Sequence, residues 1–246
     1  MLEVKNVFKS YKKPDFFTMK RNMVLHDVSF SMDENECLGI IGESGSGKST
    51  LSRLILGIEA PDRGEVLINR KSVKNRRERK GIVSAVFQDY TSSINPSATV
   101  HDTILESMQI SKTKFNRQEA IELLNKVGLS EDYLYRHPHE LSGGEVQRVC
   151  IARAIASKPM LIVLDEAISS LDASIQVTIL DLLKNLKKEY NLSYLFITHD
   201  IQAAAYICDK LIIFKDGKIV EKIKTEDIKN VKEDYSKQLF NAVLAV

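Results

Sequence analysis

The chain has 246 residues, 43% hydrophobic and 28% charged, with a formal net charge of +2 at pH 7. That length can bury a sizeable core in one or two domains, and the near-neutral balance does not by itself imply a nucleic-acid or membrane surface. No apolar run reaches bilayer length, no signal-peptide pattern opens the chain, and Cys37, Cys150 and Cys208, far apart and without metal-ligand spacing, read as reduced core thiols of a cytosolic protein.

Residues 1–32 read as antiparallel strand material, with Leu2 and Val4 alternating and Val28, Phe30 and Met32 likewise. Between them lies a polar, aromatic loop with Tyr11, Pro14, Phe16 and Phe17. A flat ring shortly before a nucleotide loop has the shape to stack on adenine. An ordinary strand-end tyrosine is the plainer reading of Tyr11 by itself.

Glu36–Ile41 is a short apolar run expected as a buried strand. It leads into Gly42-Glu43-Ser44-Gly45-Ser46-Gly47-Lys48-Ser49-Thr50, which fits the phosphate-loop pattern G-x-x-x-x-G-K-[ST]. Glycines at 42, 45 and 47 let successive main-chain N–H groups turn toward one anion, and a helix beginning near Lys48 adds its positive end. In this role Lys48 neutralises the β- and γ-phosphates and the Ser49 hydroxyl takes a Mg²⁺ position. A Gly/Ser-rich loop that binds nothing is the competing reading. The strand before it and Leu51, Leu54 and Ile55 at helical spacing after it supply the context that the motif requires.

Residues 61–64 form a turn and 65–69 a strand. The basic run 71–80 has no interleaved aromatics, so a solvated loop explains it better than nucleic-acid contact. Ile82–Phe87 is expected as a buried strand ending at Gln88-Asp89.

From Tyr90 to Ser157 the pattern turns helical, as in an inserted subdomain between core segments 1–89 and 158–246. Asn116 with Glu119 resembles a capping box ahead of Ile121, Leu123, Leu124 and Val127, with a Gly128 stop. Ser142 with Glu145 forms another, which needs no ligand. Gly143 and Gly144 give up helix propensity at that helix start, which makes sense if a phosphate approaches the backbone closely.

Met160–Leu164 is a continuous apolar strand ending in Asp165-Glu166, where parallel α/β sheets place their ligands. Asp165 suits Mg²⁺ and Glu166 suits a general base for water attack. An amphipathic helix follows over 171–190, with Val177, Leu180, Leu183, Leu186 and Tyr190 on one face. The strand 194–197 delivers His199 to the sheet edge as a γ-phosphate contact. Asp216-Gly217 between two apolar-rich runs signals a hairpin, and Tyr235–Phe240 a short packed helix.

Taken together these segments resemble the nucleotide-binding domain of ATP-binding cassette (ABC) proteins over essentially the whole chain. Gly42–Thr50 matches the phosphate loop, Gln88 the Q-loop, and Leu141-Ser142-Gly143-Gly144-Glu145-Val146-Gln147 the signature. Asp165-Glu166 matches the Walker B acids, Ser170-Leu171-Asp172 the D-loop, and His199 the switch histidine. The fold implied is an α/β P-loop NTPase, a RecA-like mixed sheet with an N-terminal antiparallel β part and an inserted helical subdomain.

Within the superfamily the chain most resembles the dipeptide/oligopeptide/nickel importer branch, on residues 42–47, on Val86–Pro96 and on the tail around Tyr235–Leu239. It departs from the usual forms at Tyr90, Glu145, Ala167-Ile168 and Ser170, which bear on coupling more than on chemistry. A Cys-containing extension common in peptide importers is absent, which tilts the expected cargo toward nickel or another chelated metal.

The resemblance implies ATP and Mg²⁺ as cofactors, with Gly42, Ser44, Gly45, Gly47, Lys48, Ser49 and Thr50 on the phosphates and Tyr11 on adenine. Ser49, Gln88 and Asp165 would hold Mg²⁺, and Glu166, His199 and Lys48 would carry catalysis. Ser142, Gly143, Gly144 and Asp172 would close on the nucleotide of a second, head-to-tail ATP-binding subunit. The implied partners are integral-membrane permease subunits and, indirectly, an extracellular solute-binding protein, with the chain peripheral on the cytoplasmic face of the cell membrane and no nucleic acid involved. The alternatives are a soluble ABC ATPase in a non-transport complex, such as the phosphonate-cleaving type, and a module that holds ATP without turning it over. Glu166 speaks against the last.

Overall fold

The computed structural model describes residues 1–12, 21–89, 93–110 and 117–244, with side chains as far as Asn241. Pro14, Phe16, Phe17, Tyr90 and the Asn116 cap lie outside the described residues. In chain order the elements are β1 (Leu2–Lys12), β2 (Arg21–Met32), β3 (Cys37–Ile41), α1 (Lys48–Ile55), β4 (Arg63–Ile68), β5 (Lys71–Ser72) and α2 (Arg76–Arg79). Then come β6 (Val83–Phe87), α3 (Val100–Ile110), α4 (Arg117–Lys126), α5 (Gly143–Ala156), β7 (Leu161–Asp165), α6 (Ala173–Tyr190) and β8 (Ser193–Thr198). The chain closes with α7 (Ile201–Ile207), β9 (Lys210–Lys215), β10 (Lys218–Lys224) and α8 (Asp234–Leu244). It divides into two compact units, residues 1–79 with 195–246 and residues 80–194.

In the first unit β2, β1, β4 and β5 form an antiparallel sheet in that order, with Leu2 opposite both Met32 and Ile68. Leu2, Val4, Val28, Phe30 and Met32 are all buried, so the alternation in the sequence marks one core-facing side. A second sheet runs β10-β9-β3-β8, with β3 parallel to β9 and all five residues of β3 buried. Burial on both faces is why β3 reads as an unbroken apolar run. Asp216 and Gly217, at φ 46° and 74°, join β9 to β10 in the left-handed pair of conformations that a two-residue hairpin favours.

The second unit contains the parallel pair β6–β7 with α3, α4, α5 and α6. All of β7 is buried. In β6 only Val86 is, a correction to the expected buried strand. β6 ends its sheet, and an edge strand leaves part of its surface open. Along α6, Ile179, Leu180, Leu183 and Leu186 are buried, whereas Val177 is 54% exposed. A three-residue step falls short of a full helical turn, so the series drifts around the axis until Val177 lies about half a turn from Leu186. The basic run contains β5 and the single turn α2 rather than loop alone.

Two thiols far apart in sequence meet in the first unit: Cys37 Sγ and Cys208 Sγ are 3.6 Å apart, both buried. The Cys37 N–H donates to the Asp209 carboxylate at 2.7 Å, and the Asp209 N–H donates to the Cys37 carbonyl at 2.8 Å. The parallel register of β3 with β9 sets this up.

Candidate nucleotide site

The loop of residues 42–47 leaves the end of β3 and becomes α1 at Lys48, the strand–loop–helix context that its sequence requires. Gly42 packs so tightly that a Cβ there would lie 2.0 Å from the Phe214 carbonyl oxygen. Gly47 caps α1 at φ 106°, a left-handed conformation that a side chain would strain. The β9–β10 turn holds the loop's far side, the Gly217 N–H donating to the Ser46 carbonyl at 2.8 Å.

Lys48 is 5% exposed, and its ammonium donates to the Gly42 and Glu43 carbonyls at 2.7 and 2.8 Å. Ser44, Gly45 and Ser49 are exposed, and Thr50 is buried and accepts from Arg53 at 3.3 Å. A Cβ at Gly45 would meet nothing within 4 Å, so the loop's arch is open where an anion would enter. The buried Ser46 hydroxyl has no hydrogen-bond partner, a polar atom that a phosphate oxygen or water would satisfy. These residues fit a polyphosphate.

Tyr11 lies one residue before the end of β1, its hydroxyl donating to Glu59 Oε2 at 2.7 Å, and Lys9 lies 5.3 Å from its ring centroid. Arg53 binds the other oxygen of Glu59 at 2.8 Å. Sequence reasoning had no signal for this polar network, because its members come from β1, α1 and the turn before β4. His199 is exposed directly after β8, next to β3 in the sheet.

In the second unit Phe87 pairs with Asp165 across β6–β7, so Gln88 and Glu166 emerge at one end of a parallel pair. Asp165 is 8% exposed and Glu166 has a positive φ of 51°. Asp165, Gln88 and Ser49 are hard oxygen donors of the kind Mg²⁺ takes.

Ser142 caps α5 in the expected box: the Glu145 carboxylate accepts the Ser142 N–H at 2.7 Å and its hydroxyl at 2.8 Å. Tyr133 donates to the other Glu145 oxygen at 2.5 Å. The Tyr133 hydrogen bond and then those from Ser142 hold this carboxyl below the usual range. Ser142 is exposed, Gly143 half-buried and Gly144 buried. A Cβ at Gly144 would lie 3.1 Å from Ile175 of α6, the helix capped by exposed Asp172.

One residue that the sequence reading quoted without a role connects these parts. Gln147 is fully buried, and its amide donates to the Ala167 carbonyl at 2.5 Å, tying α5 to the segment just past Asp165-Glu166. Its position one turn into the capped helix was the available signal.

A protein-family model described as "ABC transporter" matches residues 25–169. Among curated proteins, the metal-staphylopine import system ATP-binding protein CntF of Staphylococcus aureus is 49% identical over 248 residues, covering 100% of both chains. The oligopeptide transport ATP-binding protein OppF of Bacillus subtilis is 40% identical, covering 99% of this chain and 82% of its own. Among solved structures, the dimeric post-hydrolysis state of the ATP-binding cassette MJ0796 bound to ADP and Pi aligns with a TM-score of 0.81 and 31% identity, over 92% of this chain and 99% of that one.

Proposed function

This chain belongs to the ABC transporter family, and we propose that its ATPase activity powers import of a chelated metal, with short peptides as the second cargo class, through separate permease chains. The full-length 49% identity to a metal-staphylopine import subunit is the observation that carries the cargo class.

In this reading the main-chain amides of residues 42–50, with Gly42, Ser44, Gly45, Gly47 and Thr50 shaping the arch, take the phosphates of ATP. Lys48 exchanges its two carbonyl partners for phosphate oxygens, a short move because its ammonium already lies inside the loop. Ser49, Gln88 and Asp165 would hold Mg²⁺, which when bound neutralises charge on the transferring phosphoryl group. Glu166 accepts a proton from the attacking water, and His199 and Lys48 stabilise charge on the γ-phosphate. Tyr11 offers its ring to adenine.

Ser142, Gly143 and Gly144 present the start of α5, with Asp172 beside it, to the nucleotide of a second ATP-binding subunit placed head to tail. ATP then acts as removable glue: binding closes the pair and hydrolysis releases it. The domain arrangement proposed is one cassette, with core segments 1–89 and 158–246 and a helical subdomain 90–157. It works peripherally on the cytoplasmic face of the membrane, with an extracellular solute-binding protein acting through the permeases.

The test is ATP turnover and uptake by the complex reconstituted with its permeases and binding protein, against nickel, metal–chelator complexes and a peptide panel. Stimulation by a metal–chelator complex is expected. A complex that transports with full ATP dependence when this chain is omitted would overturn the proposal.

A further inference from the structure

One guanidinium ties the start of α1 to Tyr11 of β1. Arg53 Nη2 donates to the Thr50 hydroxyl at 3.3 Å and to the Tyr11 hydroxyl at 3.4 Å, while its Nε donates to Glu59 Oε1 at 2.8 Å. The other oxygen of Glu59 accepts the Tyr11 hydroxyl at 2.7 Å and lies 3.1 Å from the Lys9 ammonium. The phenol therefore gives its one proton to Glu59 and accepts from Arg53. Glu59 stands between two cations with both oxygens engaged.

The main chain behind these side chains is held as well. The Arg53 carbonyl accepts the Ile58 and Glu59 N–H groups at 2.9 and 3.3 Å, which folds the chain after α1 back onto the helix that carries Arg53. From the other side Lys9 donates to the Ala60 carbonyl at 2.8 Å, and the Asp62 N–H donates to the Phe8 carbonyl at 2.8 Å. Glu59 thus sits on a turn fastened to both α1 and β1. The Lys9 ammonium also lies over the Tyr11 ring, within cation–π range at 5.3 Å from its centre, so a flat ligand is left the other face.

A half-buried tyrosine near a strand end needs none of this, because water can satisfy its hydroxyl. Partly exposed ion pairs contribute little to stability, and holding Lys9, Arg53 and Glu59 in one geometry costs side-chain entropy. What the network specifies is place. It sets the Tyr11 hydroxyl at a fixed distance from Thr50, the last residue of the phosphate loop.

We propose that Glu59 is a positioning residue for the base end of the nucleotide: braced by Arg53 and Lys9, it holds the Tyr11 ring at a set distance from the phosphate loop, so that one ligand spans both. The proposal rests on the reading that Tyr11 meets adenine and residues 42–50 the phosphates. It makes the preferred ligand a nucleoside triphosphate rather than any polyphosphate, since the network adds affinity only when a base is attached.

The experiment titrates the full chain calorimetrically with Mg-ATP and, in parallel, with Mg-tripolyphosphate, which has the phosphates and no base. The forms compared are unaltered, Glu59→Ala, Tyr11→Phe, Tyr11→Ala, and Glu59→Ala with Tyr11→Ala. Tyr11→Phe keeps the ring and removes only the hydroxyl. Glu59→Ala and Tyr11→Phe should each weaken ATP affinity about 3- to 10-fold, a part of what a stacked base is worth, and leave tripolyphosphate affinity unchanged. In the Tyr11→Ala background Glu59→Ala should cost nothing further. Equal losses for both ligands would overturn the proposal, as would unaltered ATP affinity in both single variants, or a full further loss from Glu59→Ala in the Tyr11→Ala background. Tyr11→Ala separates the two levels: if it leaves ATP affinity intact, the base reading of Tyr11 itself fails, whereas a loss there with silent Glu59→Ala and Tyr11→Phe refutes only the positioning role.

Discussion

Phe87 of β6 and Asp165 of β7 stand directly opposite each other in a parallel pair, so the residues that follow them, Gln88 and Glu166, leave the sheet at the same end. Glu166 occupies the left-handed region at φ 51°, where a side chain is uncommon, and its carbonyl is fastened by the Ser169 N–H at 3.2 Å and hydroxyl at 2.9 Å. The turn fixes the backbone that carries this carboxylate. Glu166→Gln keeps the shape and removes the proposed base, so steady-state ATP turnover should fall by about 10²-fold or more while ATP binding survives. Nucleotide retained after rapid desalting should be ATP in the variant and ADP in the unaltered chain.

Gly42→Ala tests the packing behind the loop. A Cβ placed 2.0 Å from the Phe214 carbonyl oxygen meets backbone there and cannot be relieved by a rotamer change. The expected cost is about 1–3 kcal/mol or more of stability, as for other overpacked sites, together with loss of ATP binding. Denaturant midpoints and nucleotide titration measure the two effects separately.

The Gln147–Ala167 link predicts a coupled loss. Gln147→Ala opens space at a fully buried site and leaves the Ala167 carbonyl without its 2.5 Å donor. We expect about 1–3 kcal/mol of destabilisation, and reduced turnover at saturating ATP because the segment after Glu166 loses its anchor. A stability loss without any change in kcat would leave Gln147 a packing residue only.

Burial pushes the Cys150 thiol up to about 11 from an ordinary value of 9.0. The unfolded chain releases this proton near the ordinary value and the folded chain only near the raised one, so between them the unfolded state is favoured. Stability from this group is therefore complete below about pH 9, falls as pH rises toward 11, and is level above it. A rise from 9.0 to about 11 corresponds to about 2–3 kcal/mol. Chemical denaturation of the unaltered chain and Cys150→Ala from pH 8 to 11 should show a shallower decline in the variant.

Most of the fold was legible because its signals are local. The apolar run of β3, the glycine-rich loop, the Ser142–Glu145 box and the Asp216-Gly217 turn each depend on neighbours within a few residues, and the structure bears out each. What failed was position relative to a third element. Ile82–Phe87 has the composition of a buried strand, yet whether a strand lies at the edge of a sheet is decided by which strands pair with it. Val177 falls away from the buried face because a spacing of three fits a helix over one turn but drifts over three.

The same limit applies to the site. Lys48, Ser142, Asp165 and Glu166 announce themselves by motif. The Tyr11–Glu59 contact joins residues 48 positions apart, and the Cys37–Cys208 pair 171 apart, so no short window on the sequence contains either.

In the proposed function one loop, residues 42–50, grips the phosphates and Lys48 supplies the charge. Calorimetric titration of Mg-ATP into the unaltered chain and into Lys48→Ala, with turnover followed on the same samples, tests it most directly. Lys48→Ala is expected to bind ATP far more weakly and not to hydrolyse it, while its thermal unfolding stays cooperative. Undiminished affinity and turnover in Lys48→Ala would contradict it.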